Sequence, residues 1–312
     1  MRGLRRPMTV STAELEAHRA HARAVTLGTC LALVSAVLYT ATNICLKLVT
    51  DCDPYWVSCL KAFPTLVLAG AMVAWTTKQG RSGMPGRRGW LVLAATGLLA
   101  HLGGNVGFQY GLGILGLATA VPLTFSVILV AGALIGRFWL GEPISLRSAG
   151  ALLLLCISVG VLGLHTAVAK SVADPRLSAT VAVDSWDKML AVGVIIFAGF
   201  SYTVLGAVIR RTITGSTGMG ATLLIISIAG VVVLGAIGGA RLGLHGILEI
   251  APIDHQWMLL AGACNALAFL MLTKALHLVP IAYVNVINAS QVAMAAVAGV
   301  AWFAEPSTAY LT

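Results

Sequence analysis

The chain has 312 residues, of which 58% are hydrophobic and only 10% are charged. With a mean hydropathy of +0.92, its polar surface is too small to cover a soluble domain of this size, which excludes a soluble globular protein. The net charge of +9 does not indicate nucleic-acid binding, because the basic residues flank apolar segments, where they orient helices and meet anionic lipid head groups. The composition predicts an all-α integral membrane protein.

A basic tail, residues 1–24, begins the chain and carries five arginines. Nine apolar segments of bilayer-spanning length follow, and each is predicted to be a helix because backbone polar groups in lipid must be bonded within the segment. They are Val25–Val49, Tyr55–Thr76, Trp90–Gly111, Leu115–Leu140, Leu146–Thr166, Met189–Ile209, Met219–Ala240, Gln256–Lys274 and Val279–Phe303. A linker at 167–188 separates the fifth segment from the sixth.

The distribution of Lys and Arg predicts the orientation. A cytoplasmic N-terminus places 14 of these residues on the cytoplasmic side and five on the other, as the positive-inside rule requires. We therefore expect a multi-pass protein of the cell membrane with a cytoplasmic N-terminus and an extracytoplasmic linker.

The sequence contains an internal duplication with an offset of 163 positions. The fourth and ninth segments end in related motifs, WLGEP and WFAEP, in which Glu142 matches Glu305, and Tyr39 matches Tyr202 at the same offset. We assign the repeats to 25–166 and 189–312. The offset predicts a tenth helix from position 309 onward, so we expect the second repeat to be C-terminally incomplete.

A five-helix repeat crosses the membrane an odd number of times, so its second copy enters in the opposite sense. The expected architecture is two inverted repeats of five helices, of which nine spans are present. Inverted repeats are the usual basis of alternating access around a site near the membrane midplane.

The motifs that carry a family resemblance are SAVLYTATNICLK at 35–47, ATAVP at 118–122, LGEPIS at 140–145 and AEPST at 304–308. The chain resembles the EamA-type branch of the drug/metabolite transporter superfamily. It departs from that pattern at Ala304, where the family usually has glycine, and at Lys61, where the family often has arginine. The resemblance implies ten spans, two cytoplasmic termini and ATP-independent movement of small metabolites.

Polar side chains within the apolar segments are costly, so they either line a wet pathway or bind neighbouring helices. One helical stripe in the third segment contains His101, Asn105 and Gln109, at i, i+4 and i+8. A second stripe, in the ninth segment, contains Asn285, Asn288 and Gln291. We predict that both stripes bind substrate, together with Tyr39, Asn43, Lys61, Tyr202 and Asn265. The alternative is that these groups only hold helices together.

Two basic side chains have open roles. For Lys61 the favoured interpretation is that the amine reaches to the membrane surface, and the alternative is that it binds a carboxylate or phosphate of the substrate. His101 is a candidate proton carrier, although a lone buried histidine is more often a hydrogen-bonding partner. No Asp or Glu lies within a span, which argues against a proton relay built on carboxylates.

The sequence predicts a secondary transporter rather than an enzyme, with no cofactor and no metal site. The expected partners are the lipid bilayer and a small metabolite that is zwitterionic or anionic; a homodimer stays open. A non-transporting scaffold or lipid-interacting protein is the main alternative. An enzyme is less favoured, since the nearest nucleophile motif, GFSYT at 199–203, lacks the second glycine of a serine elbow.

Overall fold

A computed structural model describes residues 12–80, 83–141, 185–213 and 217–304, together with positions 150, 153 and 157. These segments contain helices and short connections, and no strand occurs among them. The helices are α1 (Thr12–Lys47), α2 (Pro54–Lys78), α3 (Arg87–Leu98), a π-helical segment (Leu99–Val106), α4 (Gly107–Leu115), α5 (Leu117–Phe138), α6 (Ser185–Ile213), α7 (Met219–Glu249), α8 (Pro252–Leu278), α9 (Ile281–Asn288) and α10 (Ser290–Phe303).

Eight helical spans in the described residues are long and apolar enough to cross a membrane. They coincide with eight of the nine predicted segments. The other one, Leu146–Thr166, lies outside the described residues except at positions 150, 153 and 157, and Glu142 and Glu305 also lie outside them. The all-α class predicted from composition is confirmed. The first helix begins at Thr12, well inside the predicted tail, because residues such as Ala and Glu there favour helix.

The third and ninth spans are not continuous α-helices. In the third, the π-helical segment joins α3 to α4 without a turn. In the ninth, Ala289 (φ −65°, ψ −11°) separates α9 from α10. Both interruptions lie beside polar residues of the predicted stripes, and a π-helical segment is frequently found at a functional site.

The helices pack in a pattern that is unchanged when each is exchanged for its counterpart 163 positions along. The helix α1 packs on α8, and α6 likewise packs on the third span; α2 contacts α8 as α7 contacts the third span. Similarly, α5 packs on α6, and the ninth span packs on α1. Two further contacts, α2 with α7 and α5 with the ninth span, each join a helix to its own counterpart. Each half therefore packs chiefly against the other.

Backbone conformation repeats at the same offset. Gly80 (φ 73°) and Gly243 (φ 64°) are 163 positions apart, as are Gly141 (φ 68°) and Ala304 (φ 47°). All four have a positive φ, and in the left-handed helical region this costs an L-residue other than glycine roughly 1–2 kcal/mol. Ala304 nevertheless has a positive φ, as Gly141 does in the first half.

Two contacts fix which connections share an end of the molecule. At one end the Gly218 amide donates to the Gly83 carbonyl at 2.8 Å. At the other, Arg241 forms a 2.9 Å ion pair with Asp53, whose carboxylate also accepts hydrogen bonds from the first amides of α2. We call these the Gly83 end and the Asp53 end. A buried apolar cluster lies toward each of them, one containing Leu46, Leu112 and Met258 and the other containing Leu93, Ile213 and Leu276.

A polar cavity as the candidate functional site

Between the two apolar clusters the helices enclose a cavity of about 180 Å³. The first half contributes five of the predicted residues to its lining: Tyr39, Asn43, Lys61, His101 and Asn105. The second half contributes five more: Tyr202, Asn265, Asn285, Asn288 and Gln291. The cavity is smaller than the roughly 300–1,000 Å³ pockets that hold drug-sized ligands, so its dimensions suit a small molecule.

Asn105 is the centre of a hydrogen-bonded network at this cavity. Its Oδ1 accepts from the Lys61 ammonium at 2.7 Å and from the Tyr202 hydroxyl at 2.9 Å. Its Nδ2 lies 2.8 Å from His101 Nδ1. Because an amide nitrogen can only donate, the imidazole nitrogen is the acceptor of this bond. Three helical spans from both halves are thus joined through one amide.

The π-helical segment explains why His101 and Asn105 point the same way. Its wider turn brings residues four apart closer to one line than the 3.6 residues of an α-helical turn. Room for the imidazole comes from Gly230 on α7, since a Cβ there would lie 2.4 Å from His101 Nε2. On the opposite side, Gly104 makes room for the Tyr202 ring.

Gln109 is the predicted residue that lies outside this cavity. It follows the π-helical segment, and its amide donates to the carbonyls of Leu46 and Val49 at 3.2 and 3.4 Å. Leu46 lies in the last turn of α1 and Val49 just beyond it, where carbonyls have no partner four residues along the helix. The structure therefore places Gln109 in contact with the end of a neighbouring helix, while its stripe companions face the cavity.

The favoured interpretation of Lys61, that its amine reaches the membrane surface, is wrong. The side chain is 5% exposed and its ammonium is bonded to Asn105 in the interior. Backbone packing keeps α2 close to α8 at this point, since a Cβ at Gly262 would lie 2.8 Å from the Lys61 carbonyl. The amine lies in the cavity and does not reach the lipid.

The other predicted amides divide into bonded and unbonded groups. Gln291 donates to Asn288 Oδ1 at 3.2 Å, and Asn288 donates to the Val284 carbonyl. In contrast, the side chains of Asn43, Asn265 and Asn285 and the hydroxyl of Tyr39 line the cavity with no hydrogen bond to another described residue. These groups are available to a ligand.

Sequence reasoning missed four polar residues of the lining: Thr42, Thr65, Thr124 and Ser227. The hydroxyls of Thr42 and Thr124 donate to backbone carbonyls of their own helices. Thr65 lies one turn after Lys61 on α2, and its buried hydroxyl has no partner among the described residues. Ser227 lies on α7, one turn before Gly230. The i, i+4 spacing of Lys61 and Thr65 was a usable signal, whereas no feature of the sequence separates Ser227 from other helix-packing serines.

The described residues offer little to a catalyst or a metal. They contain no group of three His, Cys, Asp or Glu side chains placed to hold a metal ion. The hydroxyl of Ser201 donates to the Phe197 carbonyl within its own helix.

A comparison with protein-family models supplies the family. The model of the EamA-like transporter family matches residues 26–164. Over these residues the chain is similar to that family. A comparison with curated proteins found no match.

The matched region contains the whole first-half contribution to the cavity. Tyr39, Asn43, Lys61, His101 and Asn105 all fall within its bounds. With its eight described apolar spans, the chain is a multi-pass membrane protein whose residues 26–164 match the EamA-like transporter family.

Proposed function

We propose that the protein is a secondary active transporter that moves a small metabolite across the membrane by alternating access, with the cavity as its substrate site. The observation that carries this proposal is the cavity's composition: eight polar residues from the first half and six from the second meet between two apolar clusters. Buried polar groups without partners are costly, so a polar chamber at this depth is expected where a polar solute binds.

Inverted repeats give the proposed mechanism. The packing pattern and the paired residues with positive φ support a duplicated unit. Because the unit has an odd number of helices, its second copy crosses the membrane in the opposite sense. The two halves then exchange conformations, so the Gly83 end and the Asp53 end open in turn. We propose that the protein resides in the cell membrane with a cytoplasmic N-terminus, which makes the Gly83 end cytoplasmic.

Uptake by proteoliposomes tests the proposal. Purified protein is reconstituted and supplied with labelled amino acids, organic acids, sugars, nucleotides and organic cations. We expect saturable accumulation of at least one compound, and a scaffold would accumulate none.

The variant Asn105→Leu gives a matched comparison with Gln109→Leu, one turn farther along the same span. Asn105→Leu removes hydrogen bonds at the cavity, including one to a charged group worth about 1.5–3 kcal/mol, so uptake should fall at least about tenfold. Gln109→Leu should lower thermal stability and leave substrate affinity unchanged. Equal uptake by Asn105→Leu and the unmodified protein would remove the cavity as the substrate site.

A further inference from the structure

We infer that the transported metabolite carries an anionic group, a carboxylate or a phosphate, and that Lys61 binds it. This inference rests on the proposed function, because it names the chemistry of the molecule that the same cavity would hold. It goes beyond a polar cavity in assigning a charge to the substrate and a residue to that charge.

The first step is the cost of the buried ammonium. Lys61 is 5% exposed, and its only hydrogen bond among the described residues is to the neutral amide of Asn105. A buried charge is stabilised when an opposite charge pairs with it. An amide oxygen supplies a partial negative charge and leaves the ammonium without a counter-ion.

The second step is that the described residues supply no carboxylate at this depth. All 11 Asp and Glu residues lie in the tail, in connections or at span ends. The acid nearest in sequence on the same helix is Asp53, two turns toward the Asp53 end, and it is already paired with Arg241. Since no described carboxylate faces Lys61, we assign its counter-ion to the substrate.

The third step is the set of donors around the amine. An ammonium has three N–H donors, and Asn105 accepts one. Thr65, one turn along α2, lines the same cavity with an unbonded hydroxyl. Amide donors of Asn43 and Asn265 complete a lining that offers several N–H and O–H groups to the oxygens of a carboxylate or phosphate.

The fourth step concerns access. The cavity lining reaches Ile209, Leu276 and Ile281, which lie at the Gly83 ends of their helices. Arg210 lies beside this lining and donates to the Leu276 carbonyl, and Arg211 stacks on the Trp139 ring at 5.6 Å. Basic groups at the entrance of a low-dielectric cavity raise the local concentration of anions.

Binding measured by thermal stabilisation in detergent tests the inference directly. The probes are matched pairs that differ in charge: succinate with succinamide, glycerol 3-phosphate with glycerol, and glutamate with glutamine, with choline as a cation. We expect at least one anion to stabilise the protein at a concentration at which its less negatively charged partner does not.

Three variants assign that effect to a residue. Lys61→Met should weaken binding of the anion at least about tenfold, the loss expected for a charge-assisted bond. Lys61→Arg keeps the positive charge and should therefore retain part of the affinity for the anion. Lys78→Met, at the exposed end of the same helix, should bind as the unmodified protein does.

The inference is overturned if neutral or cationic probes stabilise the protein as well as the anions do, if no anion stabilises it, or if Lys61→Met binds the anion normally. Should Lys61→Met fail to fold, restored anion binding in Lys61→Arg supports the inference, and equal binding of anionic and neutral probes by Lys61→Arg contradicts it. Uptake distinguishes the two proposals: accumulation of neutral probes alone defeats the anion assignment and leaves transport intact, while anion binding without accumulation of any compound defeats transport.

Discussion

Asn105 is the residue at which hydrogen bonds link the two halves of the molecule. A single amide oxygen accepts from Lys61 of α2 and from Tyr202 of α6, while the amide nitrogen contacts His101. Networks of this kind are strong when every member is satisfied and costly when one is removed. Substitution of any one of these residues should therefore weaken the hydrogen bonds of the others and lower the free energy of unfolding.

Tyr39 and Tyr202, which are 163 positions apart, provide a test of this network. Tyr202→Phe removes a hydrogen bond to Asn105 and should lower the free energy of unfolding by about 0.5–1.5 kcal/mol. Tyr39→Phe removes a hydroxyl that has no partner in the described chain and should change it by less than about 0.5 kcal/mol. Thermal unfolding in detergent measures both, and equal effects of the two substitutions would contradict the network.

At the residue scale, the sequence predicted the cavity more completely than it predicted the bonds within it. Ten of the 11 candidate residues line one cavity. The physical reason is that a polar side chain in an apolar helix is costly to expose to lipid and therefore faces the protein interior. Helical periodicity grouped Gln109 with Asn105, but periodicity assumes uniform α-helical turns. It cannot anticipate that Asn105 lies within a π-helical segment and Gln109 in the α-helix that follows. Whether Lys61 turns inward or toward lipid depends on neighbours that are distant in sequence.

At the scale of elements, the third span is shaped by glycines on its partners as much as by its own residues. The π-helical segment presents His101 to α7, where Gly230 leaves the space for the imidazole. Small residues allow helices to approach closely in lipid, where no hydrophobic driving force brings them together. The position of the site therefore depends on helix–helix distance.

Substitution of Gly230 should close this space. In Gly230→Ala the new Cβ would lie 2.4 Å from His101 Nε2, so the ring must move and its bond to Asn105 is lost. We expect lower thermal stability and at least several-fold weaker substrate binding. Gly239→Ala is the control on the same helix: its Cβ meets nothing within 4 Å, and stability should be unchanged or slightly higher. Identical results for the two variants would refute this account of the packing.

The ends of the fourth and ninth spans provide a second element-scale prediction. Ala304 has φ 47° and its counterpart Gly141 has φ 68°. Ala304→Gly should stabilise the protein by about 1 kcal/mol by removing the strain of a left-handed alanine, and Gly141→Ala should destabilise it by a similar amount. Denaturation in detergent compares them, and a destabilising Ala304→Gly would show that the strain is absent.

At the scale of the whole molecule, hydropathy and the 163-residue offset predicted the described spans but not their partners. Apolar length alone defines a membrane helix, which is why eight predicted segments coincide with the eight described spans. The bounds differ at helix ends, where tail residues of α1 continue the helix without being apolar. Which helices touch depends on small residues scattered over every span, so the pairing of α1 with α8 and of α2 with α7 required coordinates.

The central claim is that one duplicated unit crosses the membrane in opposite senses and encloses a polar cavity. Equivalent positions on the two halves test it most directly: Arg87, at the start of α3, and Ile250, at the end of α7, are 163 positions apart. Each is changed to cysteine in a protein whose native cysteines are replaced by alanine. A membrane-impermeant thiol reagent is then applied to right-side-out and inside-out vesicles. Arg87→Cys should react from the cytoplasmic face and Ile250→Cys from the opposite face; reaction of both from the same face would contradict the inverted repeat.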